Sequence, residues 1–144
     1  MDLFRREVEL PVSAERVFAW HEEDGAFERL TPEWENVQVL ERNGGIQDGG
    51  YVVVRVGVLG PIGFKARYEH SGYDYGKLFV DEQAYGPFRY WRHEHRFHEL
   101  DGGRSILEDV IEYVAPPFSG WMVRHRLERL FEYRHRVTLE AMVG

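Results

Sequence analysis

Between Tyr90 and Glu99, apolar and charged positions exchange with every residue. Trp91, His93, His95 and Phe97 form one series, and Arg92, Glu94, Arg96 and His98 form the other. A period of two marks a strand, because successive side chains leave opposite faces. The rhythm recurs in "LFRREVELPV", which aligns Phe4, Val8, Leu10 and Val12, and in "NVQVLER", "FKARYEHSG", "KLFVDEQAY" and "RSILEDVIEYV". "YVVVRVGVL" is β-branched enough to be buried on much of both faces. The stretches "NGGIQDGG", "GPIG", "GP" and "DGG" carry turn chemistry between the later segments. Seven strands follow, and short turns make the last six antiparallel neighbours.

Period-two patterning gives way to helical spacing in three places. After Ser13, a fair N-cap, "AERVFAWHEE" spaces Ala14, Val17, Phe18 and His21 for one face. "DGAFERLTP" reads as a second short helix, opened by Asp24 and closed by Pro32. Neither is long enough to persist alone. Behind Ser119, "GWMVRHRLERLFEYRHRVTLEAMV" sets Val123, Leu127, Leu130, Phe131, Val137 and Ala141 along one stripe. It predicts a helix of about 23 residues, roughly 34 Å long. The expected fold class is α+β: a curved antiparallel seven-stranded sheet around a long C-terminal helix, with two short helices after strand 1. Residues 1–144 are expected to form a single domain.

Composition narrows the chemistry. The net charge is −7, and basic residues are interleaved with acids, so a phosphate-binding strip is not expected. There is no cysteine, which excludes disulfides and thiolate metal sites. The start lacks a basic-then-apolar pattern, and no apolar run approaches ~18 residues. A cytoplasmic protein without stable membrane insertion is expected, and a homodimer stays open. Aromatic residues make up 15% of the chain, enough to build a core and also line a pocket.

Several ionisable groups fall on apolar faces. If Arg92, Glu94 and Arg96 meet water, His93 and His95 point inward beside Trp91 and Phe97. On the next strand Asp109 shares a face with Leu107, Ile111 and Tyr113. A hairpin closing Leu100 on Arg104 sets Asp109 opposite His95, some ~5 Å apart. On the last helix, Arg134 falls roughly 20° from the stripe's centre counted from Val123, flanked by Leu127 and Phe131. A buried guanidinium needs an anion or water, and Asp81, Glu82, Asp109 or a ligand carboxylate would serve. These groups read as satisfied structural contacts, as ligand-orienting groups, or as catalytic ones. His93, His95 and Asp109 also suit three metal ligands, but His-x-His arises easily among seven histidines, so no metal is expected. "GVLGPIG" lacks phosphate-loop order, the serines lack a nucleophile elbow, and adjacent Asp81 and Glu82 cannot share a strand face. Pro32 and Trp34 in "TPEWE" read as packing, with a lid as the alternative.

The element order, with "LTPEWE" (30–35), "FVDEQAYGPFRYWRHEHRF" (79–97), "LEDVIEY" (107–113) and "LERLFEYRHRV" (127–137), resembles the START/Bet v 1-like superfamily. The closer likeness is to its bacterial polyketide cyclase/dehydrase and lipid-transport-like branch. That resemblance implies a helix-grip fold with a cavity between sheet and last helix for a small hydrophobic or amphipathic molecule, and no cofactor. The expected wall is Trp91, Phe97, Leu107, Ile111, Tyr113, Leu127 and Phe131. His93, His95, Asp109 and Arg134 would orient the ligand, with Gln83 as a hydrogen-bond donor. The alternative is a cyclase/dehydratase-type enzyme in which His93 or His95 moves protons, Asp109 holds the tautomer and Arg134 stabilises an enolate.

Overall fold

The computed structural model describes residues 1–144. In chain order the elements are β1 (Asp2–Leu10), α1 (Ala14–Glu22), α2 (Ala26–Arg29), a 3-10 turn (Glu33–Glu35), β2 (Val37–Asn43), β3 (Tyr51–Leu59), β4 (Ile62–Asp74), β5 (Leu78–Tyr85), β6 (Tyr90–Glu99), β7 (Ser105–Val114) and α3 (Gly120–Val143). All seven strands pair antiparallel in the order β1-β7-β6-β5-β4-β3-β2. The α+β arrangement expected from the patterning is present, and with it the helix-grip fold that the resemblance implies. Register shifts in β2, β3 and β4, including one between Ser71 and Asp74 on β4, break the ladder locally. Such bulges bend a strand and increase its twist, which curves the sheet toward α3.

Local chemistry explains most boundaries. Ser13 caps α1, its hydroxyl accepting from the Arg16 N–H at 3.2 Å. Two expected caps differ. Gly25 with φ of 85°, not Asp24, stands at the start of α2, because the reversal out of α1 needs the left-handed conformation glycine adopts freely. Ser119 precedes α3, but its hydroxyl donates to the Pro116 carbonyl at 2.6 Å and so does not cap the helix.

Apolar residues gather in separate clusters on the sheet's inner face. Leu10, Val17, Phe18, Phe79, Phe97, Leu107 and Met142 pack beneath α1, while Phe4, Ile111, Tyr113, Leu127 and Phe131 pack beneath the first half of α3. A smaller group, Val54, Val56 and Ala66, lies on β3 and β4. The buried positions of α3 are Leu127, Phe131, His135, Thr138 and Met142. Their mean direction lies about 60° of helix rotation from Arg134. The expected stripe was therefore centred wrongly: His135 and Thr138 face the sheet, while Leu130, Val137 and Ala141 flank it.

His21 joins the first cluster. Its Nδ1–H donates to the Val17 carbonyl at 2.8 Å, and its ring meets Phe97 and Phe79. Burial pushes its pKa down to about 4, below an unfolded value of about 6.5. The unfolded chain therefore binds the extra proton first, and stability falls as pH drops from about 6.5 to about 4. For a depression of this size the loss is about 3 kcal/mol. Urea unfolding at pH 7.0 and 4.5 should show the decline, and His21→Gln should reduce it by the His21 share, leaving the part that comes from buried His95.

Candidate functional site

Between the first two apolar clusters, a polar layer crosses the inner face. It takes one or two positions from each of four elements: Asp81 from β5, His93 and His95 from β6, Asp109 from β7 and His135 from α3. Apolar neighbours bracket it on two of the strands, as Trp91 and Phe97 do on β6 and Leu107 and Ile111 on β7. The strands deliver it in register, since His95 stands opposite Asp109 and Phe79, and Asp81 opposite His93.

Side-chain bonding differs from the pairing that backbone register suggests. Asp109 lies opposite His95, yet its Oδ1 accepts from His93 Nε2 at 2.7 Å and its Oδ2 from His135 Nε2 at 2.6 Å. His95 Nε2 instead reaches Asp81 Oδ2 at 2.8 Å. The remaining ring nitrogens complete a square. His93 Nδ1 lies 3.4 Å from Asp81 Oδ2, and His95 Nδ1 lies 3.4 Å from Asp109 Oδ1. The imidazoles stack at 3.6 Å between the two carboxylates. Phe79 covers the other side of His95 at 3.9 Å, and the edge of Phe131 closes on His93. Trp91 Nε1–H donates to Asp81 Oδ1 at 3.1 Å, which fixes that carboxylate's orientation.

Electrostatics follow from burial and these contacts. Burial alone would raise Asp109, but hydrogen bonds from His135 and His93 outweigh it and hold the carboxyl well below its ordinary range. Burial opposes ionisation of Asp81 too, and the imidazoles of His93 and His95 overcome it. Burial, with His93 adding to it, pushes His95 down to about 3, so its ring is neutral near pH 7. A neutral imidazole has one N–H, which goes to Asp81 over the shorter contact and leaves Nδ1 bare toward Asp109. His135 Nδ1 is also buried without a partner.

Arg134 faces this layer from the flank of α3. Its Nε donates to the Leu30 carbonyl at 3.0 Å, and its guanidinium lies over the Phe131 ring. None of the proposed carboxylate partners, Asp81, Glu82 or Asp109, pairs with it. Burial lowers its pKa, while Asp109, Asp81 and Glu35 act in the opposite sense at longer range. Tyr68 on β4 lies nearby, its phenol pushed up by burial and then by Asp81.

The expected wall divides. Phe97 and Leu107 are packed core under α1, while Ile111, Tyr113, Leu127 and Phe131 are packed core under α3. Trp91 remains half-buried against Phe88, Tyr68 and His93. Gln83 is committed elsewhere: its Nε2 donates to the Phe88 carbonyl at 2.6 Å, bracing the β5–β6 turn. Trp34 is 41% exposed and carries Arg129 over its ring, while neighbouring Glu35 is buried and pairs with Arg126 at 2.7 Å. The turn 33–35 is thus fastened to α3. Two surface grooves lie away from the polar layer. One, of about 440 Å³, separates Phe27 and Pro32 from Val37 and Val39; the other, about 400 Å³, lies between Phe4–Arg6 and the exposed side of α3.

Sequence reasoning missed His135 and Asp81 as members of this layer. Asp81 was legible: it alternates with Phe79 and Gln83, and its Cα partner is His93. His135 had a fainter signal, the i+4 position from Phe131 and i+8 from Leu127.

A family model described as polyketide cyclase/dehydrase and lipid transport matches residues 10–143. No curated protein matches. Among solved structures, CV1439 from Chromobacterium violaceum superimposes with a TM-score of 0.76 at 14% identity, covering 99% of this chain and 97% of that one. A Corynebacterium glutamicum protein described as a nucleoside-diphosphate sugar epimerase gives 0.74 at 24% identity; 95% of this chain is covered but only 28% of that one. Norcoclaurine synthase from Thalictrum flavum, in complex with dopamine and hydroxybenzaldehyde, gives 0.69 at 16% identity over 96% of this chain and 87% of that one. At these identities the likenesses show the fold alone.

Removing one member of a buried charged pair typically costs 3–5 kcal/mol, because the partners stay buried and unpaired. Asp109→Ala should therefore destabilise the fold by about that much, while Glu82→Ala on the solvent side of β5 should cost under 1 kcal/mol. Chemical denaturation of both variants checks the contrast.

Proposed function

The chain belongs to the polyketide cyclase/dehydrase and lipid transport family, and on that premise we propose that it binds a small amphipathic molecule bearing an anionic head, in a hollow between the sheet and α3. The carrying observation is Arg134. A half-buried guanidinium with a backbone carbonyl as its hydrogen-bond partner, and no carboxylate within 4.0 Å, retains donors for an incoming anion. Arg is suited to this because its planar fork matches a carboxylate.

Two further observations support the reading. Tyr68 and Arg134 keep accessible surface although protein surrounds them on most sides, which is how groups around a hollow behave. The backbone of α3 also makes its main approach to β1, at one edge of the sheet. In this reading the head group meets Arg134 and the polar layer, and the apolar body lies along Tyr68, Trp91 and the inner side of β3 and β4. Residues 1–144 act as one binding unit.

The test compares a medium-chain fatty acid with the alcohol of equal length by calorimetry. A charged hydrogen bond is worth about 1.5–3 kcal/mol. Arg134→Gln should weaken the acid about 10- to 100-fold and leave the alcohol within about twofold. Loss of both equally, or no binding of either to the wild type, would overturn the proposal.

A further inference from the structure

We propose that Asp81, His93 and His95 form a binding site for a divalent first-row transition ion such as zinc. The side-chain geometry carries this, independently of the ligand reading above. One oxygen of Asp81, one nitrogen of His93 and one of His95 lie within 4.8 Å of one another. The contacts sharpen the picture: Asp81 Oδ2 is 3.4 Å from His93 Nδ1 and 2.8 Å from His95 Nε2. Zinc binds imidazole nitrogen and carboxylate oxygen at about 2.0–2.2 Å, which sets ligand atoms about 3.4 Å apart around a tetrahedral ion. One of these separations already has that value and the other is about 0.6 Å short of it, so an ion would open the Asp81–His95 contact and fan the stacked imidazoles apart.

The surrounding shell points the same way. A metal-bound histidine almost always donates its other ring N–H to a carboxylate or carbonyl. Here the far nitrogen of each candidate ligand faces the same oxygen. His93 Nε2 is 2.7 Å and His95 Nδ1 3.4 Å from Asp109 Oδ1. Asp109 is itself held by His135, and Asp81 is turned toward the two imidazoles by the Trp91 N–H. With the ion on His93 Nδ1 and His95 Nε2, both remaining N–H groups can donate to Asp109. Two carboxylates outnumber the Arg134 cation, so the layer can accept positive charge. Three protein ligands leave a position open for water or an anion.

This set differs from the one the residue pattern suggested. Asp109 belongs behind the histidines, and Asp81 takes its place as the carboxylate ligand.

The experiment titrates tag-free, chelator-treated protein with Zn²⁺ by calorimetry and with Co²⁺ by visible absorption. The expected result is one equivalent per chain, with the intense visible bands of four- or five-coordinate Co²⁺. His95→Gln should weaken binding at least 100-fold. Asp109→Asn, which keeps all three ligands, should weaken it about 10- to 100-fold. His125→Gln, at an exposed position on α3, should change nothing. Circular dichroism of each variant reports folding, and the wild-type Co²⁺ spectrum stands without any variant. Weak octahedral-type bands, less than half an equivalent bound, or equal loss in His125→Gln would each overturn the site.

Discussion

The carboxylate of Asp109 is the constraint around which this molecule is arranged. It is buried on β7, a strand paired on both sides, where desolvating an ion costs several kcal/mol. The cost is offset only because β6 supplies His93 and α3 supplies His135 at hydrogen-bonding distance. That demand fixes the rotation of α3 about its axis and its position along the sheet. A helix turned to bury Val123, Leu130 and Ala141 would bury more apolar surface at those positions, yet leave Asp109 without one of its two donors.

The same demand separates two apolar clusters that would otherwise merge. β6, β7 and α3 each change from apolar to polar and back at matching height, and β5 joins them from Phe79 to Asp81. Antiparallel register aligns the change across the strands, and i+4 spacing aligns it on the helix. The result is a layer whose bonding is nearly complete within the protein, with two exceptions: the bare ring nitrogens and the guanidinium of Arg134, which meets a backbone carbonyl but no carboxylate.

How much of this was legible depended on how local the cause was. Strand alternation reports burial directly, so the inward direction of His93 and His95 and the Leu100–Arg104 hairpin followed from residue order, and the His95–Asp109 register with them. Asp81 required pairing β5 with β6, which the short "GP" turn made available. Gln83 misled because an amide on a strand gives no sign that the next turn will occupy it. Arg134 misled because helix spacing was anchored on Val123 and the stripe was drawn from apolar residues. His135 and Thr138 belong to the buried face all the same, since their polar atoms are matched by Asp109 and by the Arg134 carbonyl.

The linear order of residues was enough to determine seven antiparallel strands, three helical segments, a terminal helix against a curved sheet, and two imidazoles directed inward. Those features follow from periodicity, turn chemistry and capping, which act over a few residues. Tertiary structure alone decided which nitrogen meets which carboxylate, that Asp109 serves His93 and His135 while Asp81 serves His95, and which side of α3 is buried. Those choices rest on distances of a few ångströms between elements far apart in the chain. They are settled by desolvation and hydrogen bonding among whole layers, which no local pattern records.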